Sequence, residues 1–129
     1  MTSADPRGEI AIRTIAMPAD LNPAGDVFGG WLVAQMDLAG GATAGRRSGG
    51  RVATVAIDAM QFHKPLHLGD ELSCYCVLVR TGRTSMTYRI EAWARRQGAD
   101  GEEMITHGTF TFVAIGPDGR PRSVRPDAG

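Results

Sequence analysis

The chain has 129 residues, and its fourteen Lys and Arg residues balance its fourteen Asp and Glu residues. This length predicts one domain that buries roughly two-thirds of the surface its unfolded form would expose, and the charge balance argues against a general affinity for nucleic acid or anionic membranes. No stretch approaches the ~20 apolar residues of a membrane span, and the first residues lack the pattern of a signal peptide, so we expect a cytoplasmic protein.

The hydrophobic pattern predicts five strands and one long helix, with no internal repeat. In chain order these are a strand at 9–16, the helix at 29–46, and strands at 52–62, 71–81, 84–96 and 104–115. Short turn signals between the last four strands favour antiparallel neighbours. We therefore predict a single domain at 9–115, between a flexible N-terminus at 1–8 and a flexible tail at 116–129 that is rich in Arg and Pro.

The predicted helix is apolar on nearly all sides, which is typical of a buried helix. An antiparallel sheet that curls around one such helix is an α+β architecture, the hotdog fold, although an ordinary α+β sandwich would give similar periodicities. The helix contains one carboxylate, Asp37. Buried carboxylates are costly unless they are paired or used, so Asp37 is a candidate functional residue. Its spacing alone supports a catalytic role and a structural role equally.

The sulfur and imidazole side chains give weaker signals. Cys74 and Cys76 are two apart in a predicted strand, which suits a disulfide poorly, and no second pair stands at zinc-site spacing, so we predict small core residues. The chain also contains His63, His67 and His107, which could indicate a dehydratase or hydratase. None of the three lies in the segment that leads into the helix, so we predict structural or peripheral roles.

Five motifs together resemble the YciA-type hotdog acyl-coenzyme A (acyl-CoA) thioesterases. They are MP-x-D-x-N-x-x-G-D-x-F-G-G-W at 17–31, QMD-x-x-G-G at 35–41, FHKP-x-x-x-GD at 62–70, GR-x-S at 82–85 and TFTFVA at 109–114. The resemblance covers roughly residues 10–125. It implies an acyl-CoA thioester hydrolase that uses no metal or redox cofactor, since CoA is part of its substrate and product. It also implies a homodimer at least, with a trimer of dimers as a further assembly.

The resemblance marks Asp37 as the catalytic carboxylate, acting either as general base on a water or as nucleophile on the thioester carbonyl. Both roles need a carboxylate whose basicity partial burial raises. The resemblance further implies that Asn22 of the opposite protomer holds the water or substrate beside this carboxylate. Without this resemblance, the sequence indicates only that Asn22 is an ordinary turn residue.

The start of the predicted helix is a candidate oxyanion site. The first backbone N–H groups of a helix are unpaired donors at the positive end of its dipole, so Gly29 and Gly30 could polarise a thioester oxygen. Gly30 is the better candidate donor and Gly29 a candidate substrate contact. A second, compatible role for both glycines is close packing of the helix against the sheet.

CoA carries phosphates, so its site needs a few cations and hydroxyls. Arg83 and Ser85 resemble the family's phosphate and pantetheine contacts, and Lys64 is a further candidate; solvent-exposed charges are the alternative for Arg83 and Lys64. The tail arginines are a weaker candidate set for covering the nucleotide: Arg120, Arg122 and Arg125. Two functional alternatives remain open at this stage, a thioesterase for acyl carrier protein or aromatic acyl groups, and a non-catalytic module that binds acyl-CoA or a nucleotide.

Overall fold

The computed structural model describes residues 5–124. Its elements are β1 (Glu9–Ile15), a short 3-10 turn (Pro18–Asp20), α1 (Gly29–Ser48), β2 (Val52–Phe62), β3 (Glu71–Thr81), β4 (Ser85–Arg95) and β5 (Glu103–Ala114). The five predicted strands and the helix are confirmed, and β2 and β3 have the predicted bounds. The helix extends two residues beyond its predicted end, to Ser48, where Gly49 adopts a left-handed conformation (φ 77°) and ends it.

The strands form one antiparallel sheet in the order β1-β3-β4-β5-β2, so β1 and β2 are its edges. The helix contacts all five strands from one side. This arrangement confirms the hotdog fold. Within residues 5–124, no helix is long and apolar enough to cross a membrane.

Glycine at position 40 lets the helix approach the sheet closely. A Cβ atom added to Gly40 would lie 2.5 Å from Cζ of Phe112 and 2.6 Å from Cδ1 of Ile90. Both side chains are completely buried in the core between helix and sheet. The close approach of helix and sheet at Gly40 therefore depends on the absence of a side chain at this position.

One side of the helix is exposed in the single chain, so the prediction that it is buried on nearly all sides is wrong for one protomer. Leu38 is 61 % exposed, and Val55 on the neighbouring edge strand β2 is 57 % exposed. The physical reason is that one five-stranded sheet covers only one side of the helix. Exposed apolar side chains on a helix and on the edge strand of a sheet are typical of a protein–protein contact.

The described part of the predicted C-terminal tail makes specific contacts. The Arg122 guanidinium donates hydrogen bonds to the carbonyl oxygens of Ser48 (2.9 Å) and Ile115 (3.1 Å), and the Val124 N–H donates to the Arg83 carbonyl (3.0 Å). These bonds attach residues 116–124 to the end of the helix and to the turn between β3 and β4. Flexibility of the two termini stays a prediction, and residues 1–4 and 125–129, with Arg125, lie outside the described residues.

The two cysteines are core residues, as predicted. Both are free and buried on the face of β3 that is turned toward the helix. Burial raises the pKa of the Cys74 thiol to about 12 and that of Cys76 to about 11. Both thiols are therefore neutral and unreactive near neutral pH.

Candidate active site

Asp37 lies half-buried beside the first residues of β2. The Thr54 hydroxyl donates a hydrogen bond of 2.7 Å to its Oδ1, and Oδ2 has no hydrogen-bond partner among residues 5–124. The two residues belong to an open groove of about 480 Å³ between α1 and β2, here called the Asp37 groove. Its lining also includes Leu38, Arg51 and Phe112. A carboxylate with one oxygen held and the other open is suited to act as a base or nucleophile.

Thr54 is a site residue that the sequence analysis missed. The chain leaves the helix at Gly49, reverses, and returns along the helix as β2, which brings position 54 beside position 37. Threonine is common in strands, so nothing in the local pattern distinguishes Thr54 from any other strand residue. Only the packing of helix against strand identifies it.

The start of the helix presents free backbone donors. Phe28 caps the helix without a side-chain hydrogen bond, and the N–H groups of Gly29 and Gly30 have no backbone acceptor among the described residues. An added Cβ would lie 3.9 Å from the Phe62 ring at Gly29 and 3.5 Å from the Phe28 ring at Gly30, both ordinary contacts. The predicted packing role of these two glycines is therefore wrong within one chain, and that role belongs to Gly40.

A second groove adjoins this helix start and brings together two predicted substrate contacts, Gly29 and Lys64. It has a volume of about 250 Å³ and is here called the Gly29 groove; Phe62 and His63 also line it. Lys64 Nζ lies 2.6 Å from Oε1 of Glu103. The Lys64 ammonium group is thus ion-paired. A phosphate that binds it has to share it with the Glu103 carboxylate or displace that carboxylate.

Asn22 has the structural role expected of a turn residue. Its Oδ1 accepts hydrogen bonds from the N–H groups of Ala24 (3.0 Å) and Asp26 (3.1 Å), while its Nδ2 has no partner among residues 5–124. This loop joins the helix start, because the Phe28 N–H donates to the Asp20 carbonyl (3.0 Å). Asn22 is not part of the lining of either groove.

Arg83 and Ser85 lie at the opposite end of the sheet from Lys64. Ser85 pairs with Val113, and Val113 pairs with Ala53, the residue before Thr54. The tight turn that carries Arg83 and Ser85 is therefore at the same end of the sheet as Asp37 and Thr54. Within a single chain, the predicted site residues therefore form two separate clusters, one around Asp37 and one around the helix start.

The histidines add one feature near the Gly29 groove. Nε2 of His63 lies 2.9 Å from Nδ1 of His107, and the two rings are stacked with centroids 4.9 Å apart. Burial lowers the pKa of His107, and the nearby Arg89 and His63 add to this effect. In the described part of the chain, no three His, Cys, Asp or Glu side chains are grouped to hold a metal ion. The absence of a metal or redox cofactor stays a prediction.

A single antiparallel sheet around one helix, with a helix carboxylate beside the edge strand, defines a hotdog enzyme of the thioesterase class. The chain matches the family model of the thioesterase superfamily over residues 24–99 and belongs to that superfamily. Among relatives, the acyl-CoA thioester hydrolase YciA of Salmonella typhimurium is 43 % identical over 127 residues, covering 95 % of this chain and 96 % of the relative. The predicted resemblance to YciA-type thioesterases is confirmed.

Solved structures agree with this assignment. A hexameric thioesterase from Yersinia pestis is 44 % identical with a TM-score of 0.88, covering 92 % of this chain and 97 % of that one. A hexameric hotdog fold thioesterase of Campylobacter jejuni is 36 % identical with a TM-score of 0.90, covering 96 % of each chain. The predictions of fold and of enzyme class are both confirmed.

Proposed function

We propose that this protein hydrolyses acyl-CoA thioesters to free CoA and a carboxylic acid, with Asp37 as the catalytic carboxylate. The observation that supports this most directly is the Asp37 environment, in which Thr54 holds Oδ1 at 2.7 Å and leaves Oδ2 without a partner in an open groove. In this proposal Asp37 either attacks the thioester carbonyl or removes a proton from the attacking water.

We infer that each active site combines two protomers. Asp37 lies eight residues after Gly29, which is roughly 12 Å along the helix axis at 1.5 Å per residue. The free N–H groups at the helix start are directed away from the rest of the helix. A thioester carbon has to lie about 3 Å from the attacking group, with its oxygen at the donors, so one chain cannot supply both.

Antiparallel pairing of two β2 edges would solve this problem. A two-fold axis at this edge makes the two helices antiparallel, so that the start of one helix lies beside the middle of the other. The exposed apolar residues Leu38 and Val55 belong to α1 and β2, the two elements that this pairing would bring against their copies in the second protomer. The solved relatives from Yersinia pestis and Campylobacter jejuni are hexameric, which supports further assembly of such dimers.

The remaining residues have assigned roles in this composite site. Gly30 of the second protomer donates its N–H to the oxyanion, and Asn22 of that protomer uses its free Nδ2 to hold the water or the substrate. Gly29 and Lys64 contact the substrate beside it. Arg83 and Ser85 bind the phosphate and pantetheine parts of CoA.

The first test is release of free thiol from a panel of aliphatic and aromatic acyl-CoA esters and an acyl carrier protein thioester. We expect Asp37→Asn to lower the rate by about 10²–10⁴-fold, the usual contribution of such a group. The matched control is Asp100→Asn, the same change at an exposed carboxylate in the turn between β4 and β5. Equal rates for Asp37→Asn and wild type would remove Asp37 from the mechanism. Saturable binding without turnover across the panel would instead favour a binding module.

The second test is complementation between two inactive variants, Asp37→Asn and Asn22→Ala. A mixed dimer contains one site with both substitutions and one intact site. Random mixing of equal amounts therefore restores activity to about a quarter of the wild-type sites. Activity that stays at the level of the separate variants, with mixed oligomers verified by mass spectrometry, would contradict a shared site.

A further inference from the structure

A separate cleft lies on the other side of the helix, between α1 and strands β1, β3 and β4. It has a volume of about 410 Å³ and is here called the Tyr88 cleft. Its lining includes Glu9, Arg46, Arg47, Cys76, Leu78 and Tyr88. The helix residues of this cleft lie on the opposite side of α1 from those of the Asp37 groove, so the two sites are distinct.

Tyr88 supplies an unused hydrogen-bond donor. The residue is only 2 % exposed, and its hydroxyl has no hydrogen-bond partner among residues 5–124. Burial raises the pKa of Tyr88, so the hydroxyl keeps its proton. Tyr88 lines the cleft, so a ligand bound there can accept the hydrogen bond that its hydroxyl does not donate within the described part of the chain.

Arg47 supplies a second unused donor in the same cleft. Its Nε is completely buried without a hydrogen-bond partner, and no carboxylate of the described residues forms an ion pair with it. The position of Arg47 in the last helical turn is favourable for a cation, but its Nε–H finds no acceptor there among the described residues. The neighbouring Arg46 differs, because it forms an ion pair with Glu9 at the rim of the cleft.

The charge and the floor of the cleft restrict the ligand. The lining contains two arginines and Glu9, so its net charge is +1 (two positive minus one negative). A single carboxylate neutralises this charge, whereas a phosphate dianion would leave an excess negative charge in the cleft. Leu78 and the neutral thiol of Cys76 form an apolar surface beside the donors. An anionic head with a short hydrocarbon chain therefore fits both parts of the cleft.

We propose that the Tyr88 cleft is a binding site for an aliphatic carboxylic acid. The carboxylate accepts hydrogen bonds from the Tyr88 hydroxyl and the Arg47 guanidinium, and the hydrocarbon chain packs against Leu78 and Cys76. An aliphatic acid is also the class of product that the proposed hydrolysis releases. The site nevertheless rests on its own contacts and does not depend on that reaction.

The test is calorimetric titration of the full-length oligomer with octanoate, and in parallel with inorganic phosphate. We expect saturable octanoate binding that weakens by about tenfold or more in Tyr88→Phe and in Arg47→Gln, as for loss of a hydrogen bond to a charged group. The matched control is Arg80→Gln, because Arg80 lies on the outer face of the sheet, where it donates to Thr87 (3.4 Å). This variant should bind octanoate like the wild type.

Two further readouts separate this proposal from the proposed function. The acyl-CoA KM of Tyr88→Phe should match the wild type, since the cleft is not part of the Asp37 groove. Its melting temperature should also match, because a hydroxyl without a partner contributes nothing when it is removed. Equal octanoate affinity in all variants, preference for phosphate, absence of binding to the folded oligomer, or a destabilised Tyr88→Phe would each overturn the proposal.

Discussion

Substitution of two adjacent helix glycines tests the packing argument quantitatively. An alanine at Gly40 places its Cβ 2.5–2.8 Å from atoms of Phe112 and Ile90, which are both completely buried. Overpacking of this kind costs about 1–3 kcal/mol, and the better helix propensity of alanine offsets about 1 kcal/mol. At Gly41 the nearest such atom is Cε1 of Phe112 at 4.0 Å, so only the gain in propensity remains.

We therefore expect Gly40→Ala to be less stable than Gly41→Ala by about 2 kcal/mol, or roughly 6–10 °C in melting temperature for a chain of this size. Urea and thermal unfolding measure this difference. Both variants have to be compared at one protein concentration, because oligomerisation makes the apparent stability concentration-dependent. Equal stability of the two variants, or a more stable Gly40→Ala, would refute close packing at Gly40 as the constraint.

Three further predictions concern other parts of the fold. Arg122→Gln removes the hydrogen bonds to the helix end and should lower the free energy of unfolding, measured by urea titration, by about 1–3 kcal/mol. Arg120→Gln is the control, because Arg120 is exposed in the same segment, and it should have little effect. Ala59 has a positive φ of 53°, so Ala59→Gly should raise the free energy of unfolding by about 0.5–1 kcal/mol. The same change at Ala56 in the same strand should lower it. Equal changes in the free energy of unfolding for the two variants would contradict backbone strain at Ala59. Because burial lowers the pKa of His107 below 6.5, the unfolded state binds its proton more readily. The stability that neutral His107 contributes is complete above about pH 6.5 and is lost as the pH falls toward the lowered pKa. Urea midpoints at about pH 7.5 and 5.5 should therefore differ less in His107→Gln than in the wild type, and an unchanged difference would remove His107 as the cause.

Much of the fold could be predicted from local pattern. Strands β2 and β3 have the predicted bounds, because alternation and turn residues act between neighbours in sequence. The hydrophobic pattern predicts a helix end at 46, whereas the helix continues to Ser48, whose carbonyl accepts a hydrogen bond from the Arg122 side chain (2.9 Å). A contact over that distance leaves no periodic signal.

The sequence by itself determined the class of enzyme, the hotdog fold and the presence of one carboxylate in an otherwise apolar helix. These properties follow from motifs and periodicities that each occupy a short stretch of chain. Only the tertiary structure decided that Thr54 holds Asp37, that Gly40 rather than Gly30 is required for packing, and that Arg47 and Tyr88 share a second cleft. The physical reason is that strand order and helix packing bring together residues distant in sequence, so neither their contacts nor their missing partners are visible in the linear pattern.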